Sequence, residues 1–179
     1  TLHSDSSTWA ANLSWNNKSG ELVFLSGVYN DKNKKADAEL FLWTPGKEKA
    51  SVVLNDKDLN EGWKVYHSNQ LRWTKDGKRL FLGIKPSSEI IQPEEEKPDS
   101  LIDIFSQQDI LSERTVDVWH WNDPYINSNQ KIRWKNEKDR TYTGVYYPGE
   151  GRFLPLATSE MPDLRISEAS NFVLGSSVK

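Results

Sequence analysis

Imidazole chemistry in this chain can come only from His3, His67 and His120, and thiol chemistry is excluded because there is no cysteine. A serine hydrolase requires a nucleophile on a strained turn, a His base and a carboxylate to orient that base, with the serine in a G-x-S-x-G elbow. The nearest string is Leu174-Gly175-Ser176-Ser177, which lacks the second glycine, and His3 lies in a polar stretch. A complete triad is therefore not expected. No second His stands at metal-ligand spacing from another, so neither a metal nor a cofactor is expected.

Binding residues are easier to nominate than catalytic ones. In TVDVWHW, strand alternation puts Val116, Val118 and His120 on one face and Asp117, Trp119 and Trp121 on the other. A single His in such a strand is first of all a partly buried side chain satisfied by its neighbours. Glu94, Glu95 and Glu96, with few counter-charges nearby, can hold a cation or a substrate amine, or simply form a solvated loop. Calcium is disfavoured, because no glycine-centred alternation of ligands surrounds them. Trp119, Trp121 and Trp134 are candidates for an aromatic platform for carbohydrate or peptide, against the default of core packing. The candidate substrate-binding set is thus Trp119, His120, Trp121, Glu94, Glu95 and Glu96.

The elements that must position these residues announce themselves by repetition. Leu13-Ser14-Trp15 leads to LVFLS, Leu71-Arg72-Trp73 to LFLGI, and Leu164-Arg165-Ile166 to FVLGS. Leu22, Leu80 and Val173 each follow Trp15, Trp73 and Ile166 by seven residues. In the middle copy Asp76-Gly77 predicts a tight hairpin through positive backbone dihedrals. Short apolar runs bounded by Gly, Pro, Asn and Asp predict strands near 12–15, 21–26, 38–43, 50–54, 70–73, 79–84, 115–121, 141–147, 152–157, 164–166 and 172–175. TPGKEK and YPGEGR add an outer hairpin to the first two copies.

Four antiparallel strands per repeat describe a propeller blade. The predicted fold is all-β: a partial propeller of about two four-stranded blades plus the start of a third, with a long insertion in the second. The first blade and a linker cover 1–69, the second blade 70–163 with an acidic insertion at 85–113, and the third begins over 164–179. Trp15 and Trp73, as repeat equivalents, are expected to pack between blades. Two blades and part of a third cannot close a ring, which predicts a fragment of a longer chain that self-associates through its open blade faces.

Composition fits a folded domain with an aromatic core, since eight Trp, six Tyr and six Phe accompany a charged fraction of 27%. Net charge is −3 with both signs interspersed, so there is no positive footprint for nucleic acid. No run is long and apolar enough to predict a membrane span.

WTKDGKRLFLGIKP, the acidic Pro-containing insertion, VDVWHWNDPYINSNQ and TYTGVYYPGEGRFLPLA occur in that order. Together they resemble the propeller portion of bacterial serine peptidases of the prolyl oligopeptidase family, in the dipeptidyl aminopeptidase and acylaminoacyl peptidase branch common in Bacteroidetes. The resemblance covers about 70–175 and is generic before it. It implies a propeller covering a C-terminal α/β-hydrolase domain of the same parent chain, with peptide substrates and a periplasmic or secreted location. It also implies that this chain alone is inactive, because the triad belongs to the hydrolase domain. In the dipeptidyl branch a propeller insertion bears glutamates that bind the substrate's amino terminus; the run Glu94–Glu96 is not in the motif of that pair. The alternative from composition is a free-standing aromatic-rich binding module for carbohydrate or peptide.

Overall fold

Two apolar runs organise the molecule, LVFLSGV and LFLGIKP, and each forms the second strand of a blade. In the computed structural model, which describes residues 7–29, 38–90, 129, 138–167 and 171–177, the chain divides into two units. One comprises Thr1–Glu89 with Arg140–Lys179, the other Ile90–Asp139. The second unit lies almost wholly outside the described residues, and with it the expected strand at 115–121.

The first blade is a four-stranded antiparallel meander of β1 (Thr8–Trp15), β2 (Leu22–Val28), β3 (Glu39–Trp43) and β4 (Ser51–Leu54). Leu22 to Gly27 of β2 are all buried, as expected of a central strand covered on both faces. The second blade contains β5 (Trp63–Val65), β6 (Arg72–Trp73), β7 (Leu80–Pro86), β8 (Tyr142–Tyr147) and β9 (Arg152–Pro155), in the order β5-β7-β8-β9 with β6 also on β7. The third is a hairpin of β10 (Asp163–Ile166) and β11 (Val173–Ser176). The protein is an all-β partial propeller: two blades and the start of a third, with a long insertion in the second.

The blades superimpose in register. In the first, Trp15 pairs with Leu22 and Leu22 with Trp43; in the second, Trp73 pairs with Leu80 and Leu80 with Tyr146. One core joins them, with Trp9, Val23, Leu25, Leu40 and Leu54 of the first blade against Trp73, Leu80, Leu82 and Tyr146 of the second. Burying so many large side chains, each contributing about 1.5–3 kcal/mol, makes the blade interface the main source of stability. A smaller cluster of Ile84, Tyr142 and Ala157 receives Leu164 from the third blade.

Several sequence expectations change. Residues 55–67, expected as a linker, carry β5, so the second blade begins before residue 70. Asn55 and Asp58 form a reciprocal capping box over a 3-10 turn, and Asp56 accepts from the Val65 amide at 3.1 Å, which launches this strand. At the other boundary, Lys85 is not in a loop: it lies in β7 and is 1% exposed. The turn at Asp76-Gly77 is also looser than a two-residue hairpin, because Thr74 and Arg79 close a four-residue loop, Thr74 N–H to Arg79 O at 2.9 Å. Gly77 alone takes a positive φ, 70°, while Asp76 instead uses its carboxylate to accept from Lys78 N–H and Thr74 Oγ1–H. Finally, Trp73 is buried between blades but Trp15 is 55% exposed, since among the described residues no blade covers that side of the first.

Candidate functional site

The first strand of the first blade, β1, lies alongside the β5–β6 segment of the second, and the seam between them is the most closely hydrogen-bonded junction of the two blades among the described residues. Three hydrogen bonds stitch it. Asn12 Nδ2 donates to His67 O at 3.0 Å, Trp73 Nε1 to Ser14 O at 3.3 Å, and Asn16 Nδ2 to Gly77 O at 2.9 Å. Asn12 reaches its partner from a left-handed backbone, φ 58°, at the bulge where β1 slips register between Ala11 and Ser14. Asparagine tolerates that conformation better than most residues.

Opposite the bulge, the first strand of the second blade is split. β5 pairs with Ile84–Pro86 and β6 with Leu80–Phe81, so no backbone pairs with Gly83 on that edge. Asn69 fills the gap with its side-chain amide: Oδ1 accepts from Gly83 N–H at 2.7 Å and Nδ2 donates to Gly83 O at 2.6 Å. The amide thus stands in for a peptide group. With the strand's continuity replaced in this way, Tyr66 to Leu71 bow out of the sheet.

The bow carries an aromatic cluster. The His67 ring lies 4.4 Å from that of Tyr66, tilted by 33°, and meets the edge of Trp9 at 6.4 Å. The Lys85 ammonium stands 4.7 Å from the centre of the Tyr66 ring, a cation–π contact that offsets part of the cost of burying the charge. The arrangement holds the bowed segment in shape through ring and cation–π contacts. Among the described residues no cluster of His, Asp or Glu could hold a metal ion, and no buried side-chain polar atom lacks a hydrogen-bond partner.

At the root of the insertion, Tyr142 donates to both carboxylate oxygens of Glu89, at 3.0 and 3.3 Å, and packs edge-on against Trp63 at 5.3 Å. Burial, reinforced by the Glu89 carboxylate, pushes the Tyr142 phenol above its ordinary pKa. Arg140 pairs with Asp163 of the third blade at 2.6 Å. Entry to and exit from the insertion are thereby fixed to two blades.

The six residues nominated from the sequence, Glu94, Glu95, Glu96, Trp119, His120 and Trp121, all lie outside the described residues, as does Trp134. The seam residues Asn12, Asn69, Tyr66 and His67 escape single-sequence reading, although the 58-residue offset that aligns Trp15 with Trp73 also aligns Trp9 with His67 and Ala11 with Asn69. Comparison with protein-family models, with curated proteins and with solved structures finds no match.

Proposed function

We propose that this chain is a non-catalytic propeller segment of an exported serine peptidase of the dipeptidyl or acylaminoacyl type, and that it walls the route of peptide substrates to an α/β-hydrolase domain elsewhere in the parent chain. The observation that carries the reading is the seam: two blades joined along their first strands, with a bowed, amide-rich segment and an insertion rooted between the second and third strands of one blade; in this reading that segment faces the channel. The order of motifs from Trp73 to Ala157 supports the same family. In this reading Glu94–Glu96 and Trp119–Trp121 belong to an insertion that meets peptide substrate, and the compartment is the periplasm or the exterior.

The parent coding sequence tests the assignment. A G-x-S-x-G elbow a few hundred residues downstream supports it, and a stop codon soon after Lys179 overturns it. The isolated chain should not cleave aminoacyl-proline or acylaminoacyl chromogenic substrates, and activity lost on treatment with a serine-reactive phosphonate would contradict the reading. A free-standing carbohydrate- or peptide-binding module is separated by tryptophan fluorescence. Titration with oligosaccharides would then produce a shift that disappears in Trp119→Ala or Trp121→Ala.

A further inference from the structure

The hairpin of the third blade has a glycine where the other two blades have a large apolar side chain. The spacing that aligns Leu22, Leu80 and Val173 puts Gly175 at the position of Phe24 and Leu82, which are 4% and 1% exposed. Strand pairing agrees: Ile166 stands opposite Val173 as Trp73 stands opposite Leu80, and Leu164 stands opposite Gly175. Directly opposed residues share a face of a sheet, and Leu164 packs on the second blade's cluster of Ile84, Tyr142 and Ala157. Gly175 therefore faces the second blade with no side chain of its own to fill the place.

Met161 fills it from outside the strand. A Cβ on Gly175 would collide with Met161 Sδ and come within 2.9 Å of its Cγ and Cε, so the thioether lies flat on the glycine. Gly175 does not take a left-handed φ, so the close approach of Met161 is what the missing Cβ admits there. A turn aims the side chain: Thr158 N–H donates to Met161 O and Met161 N–H to Thr158 O, both at 3.2 Å, and Thr158 Oγ1 also accepts from Met161 N–H. An unbranched thioether suits an irregular gap of this kind. Although it lies on the face turned to the second blade, Met161 is 37% exposed, so a small oxidant can reach it. It is the only methionine in the chain.

We propose that Met161 is a reversible oxidation site that sets how firmly the third blade is held to the second. Hydrogen peroxide, or another hydroperoxide, is the oxidant. The sulfur lone pair attacks one peroxide oxygen, the O–O bond breaks as the S–O bond forms, and proton transfer to the departing oxygen leaves sulfoxide and water. Sulfur gives up two electrons and the peroxide takes them. The product puts a polar, chiral group where an apolar plug sat on Gly175, and a thiol-dependent sulfoxide reductase restores the thioether. Beside this plug the hairpin holds on through Leu164 and the exposed Arg140–Asp163 pair, and an exposed ion pair contributes little. The proposal is independent of the peptidase reading.

Peroxide treatment of the folded chain, with peptide mass mapping and backbone hydrogen exchange before and after, tests this. Met161 should gain one oxygen while the chain stays folded. Exchange at the amides of β10 and β11 should then quicken roughly tenfold or more, the scale of a poorly accommodated polar group at a packed site, with β2 and β7 unchanged. Methionine sulfoxide reductases with a thiol reductant should return the original rates. Met161→Leu keeps an apolar plug of similar volume and should make the hairpin indifferent to peroxide, whereas Met161→Gln should loosen it with no oxidant present. A thioether that resists peroxide until the chain unfolds, a sulfoxide that leaves β10–β11 exchange as it was, or a response of equal size in Met161→Leu would each overturn the proposal.

Discussion

Replacing Asn69 tests whether one side-chain amide holds the second blade's first strand to its neighbour. Gly83 is buried in the middle of β7, and the Asn69 amide satisfies its N–H and C=O on this edge at 2.7 and 2.6 Å. A buried polar group left unpaired costs about 1–3 kcal/mol, so losing both partners while some water enters beside a half-buried position should cost about 2–4 kcal/mol. Asn69→Ala should therefore lower the urea midpoint by that equivalent, and the Gly83 amide should exchange with solvent far faster than in the parent protein. Asn69→Asp makes the test sharper. Its carboxylate still accepts from Gly83 N–H but faces the Gly83 carbonyl with a lone pair, whereas its protonated form can donate there. The folded-state pKa of that aspartate is raised above the unfolded value near 3.9. Its contribution is thus fully present below that value and is lost as pH rises through the folded pKa, so the deficit of Asn69→Asp relative to wild type shrinks on acidification. A deficit below about 0.5 kcal/mol in Asn69→Ala, the background for ordinary surface changes, would refute the substitution of amide for strand. So would a deficit in Asn69→Asp that is flat between neutral and acidic pH.

Three further outcomes follow from close contacts and titrating groups. Gly144→Ala would place its Cβ 2.2 Å from Phe153 Cζ and 3.0 Å from Leu154 O, so it should destabilise by about 1–3 kcal/mol in urea unfolding, while Gly149→Ala, with nothing within 4 Å, should be near neutral. Because burial and Glu89 raise the Tyr142 pKa, its contribution is present below the unfolded pKa near 10 and fades as pH rises through the folded one; Tyr142→Phe should flatten part of that alkaline loss in a stability–pH profile, with buried Tyr146 supplying the remainder. Asp76 has the opposite sign: the Thr74 hydroxyl, then the Lys78 amide, lower its pKa, so its contribution is present above the ordinary carboxylate range and is lost as pH falls through the folded value. Thermal melts of Asp76→Asn should lack that acid-side component.

The strands legible in the sequence were those with a strong apolar signal or a repeat partner. LVFLS and LFLGI are buried on both faces and read as strands without context, and β10–β11 is recovered because Leu164 and Val173 repeat the spacing of Leu13 and Leu22. What escaped is what tertiary structure decides. WKV is three residues long and has no periodicity to detect; it is a strand because Ile84–Pro86 offers an edge and the Asn55 capping box aims it there. Trp15 and Trp73 stand in the same Leu-x-Trp frame, yet one is exposed and the other buried, since burial depends on which blade lies alongside. Asn69 stands between the expected linker and the expected strand at 70–73, where nothing in the sequence singles it out. Its role comes from a gap in the sheet, and a gap has no sequence signature. The nominated binding residues in the insertion belong to the part of the chain beyond the described residues, so the candidate site rests on the seam alone.

The long insertion leaves the same connection that is short in the first blade: ten residues link β2 to β3, and fifty-five link β7 to β8. Loop-closure entropy grows only as the logarithm of length, so lengthening this link by that ratio costs at most about 1.5 kcal/mol. The Tyr142–Glu89 hydrogen bonds and the pairing of Ile84 with Tyr142 act where the loop begins and ends, on a scale comparable with that cost. The blade can therefore carry a fivefold larger excursion with its register unchanged. In thermodynamic terms, the connection is a site where chain can be added or exchanged almost independently of the scaffold's stability.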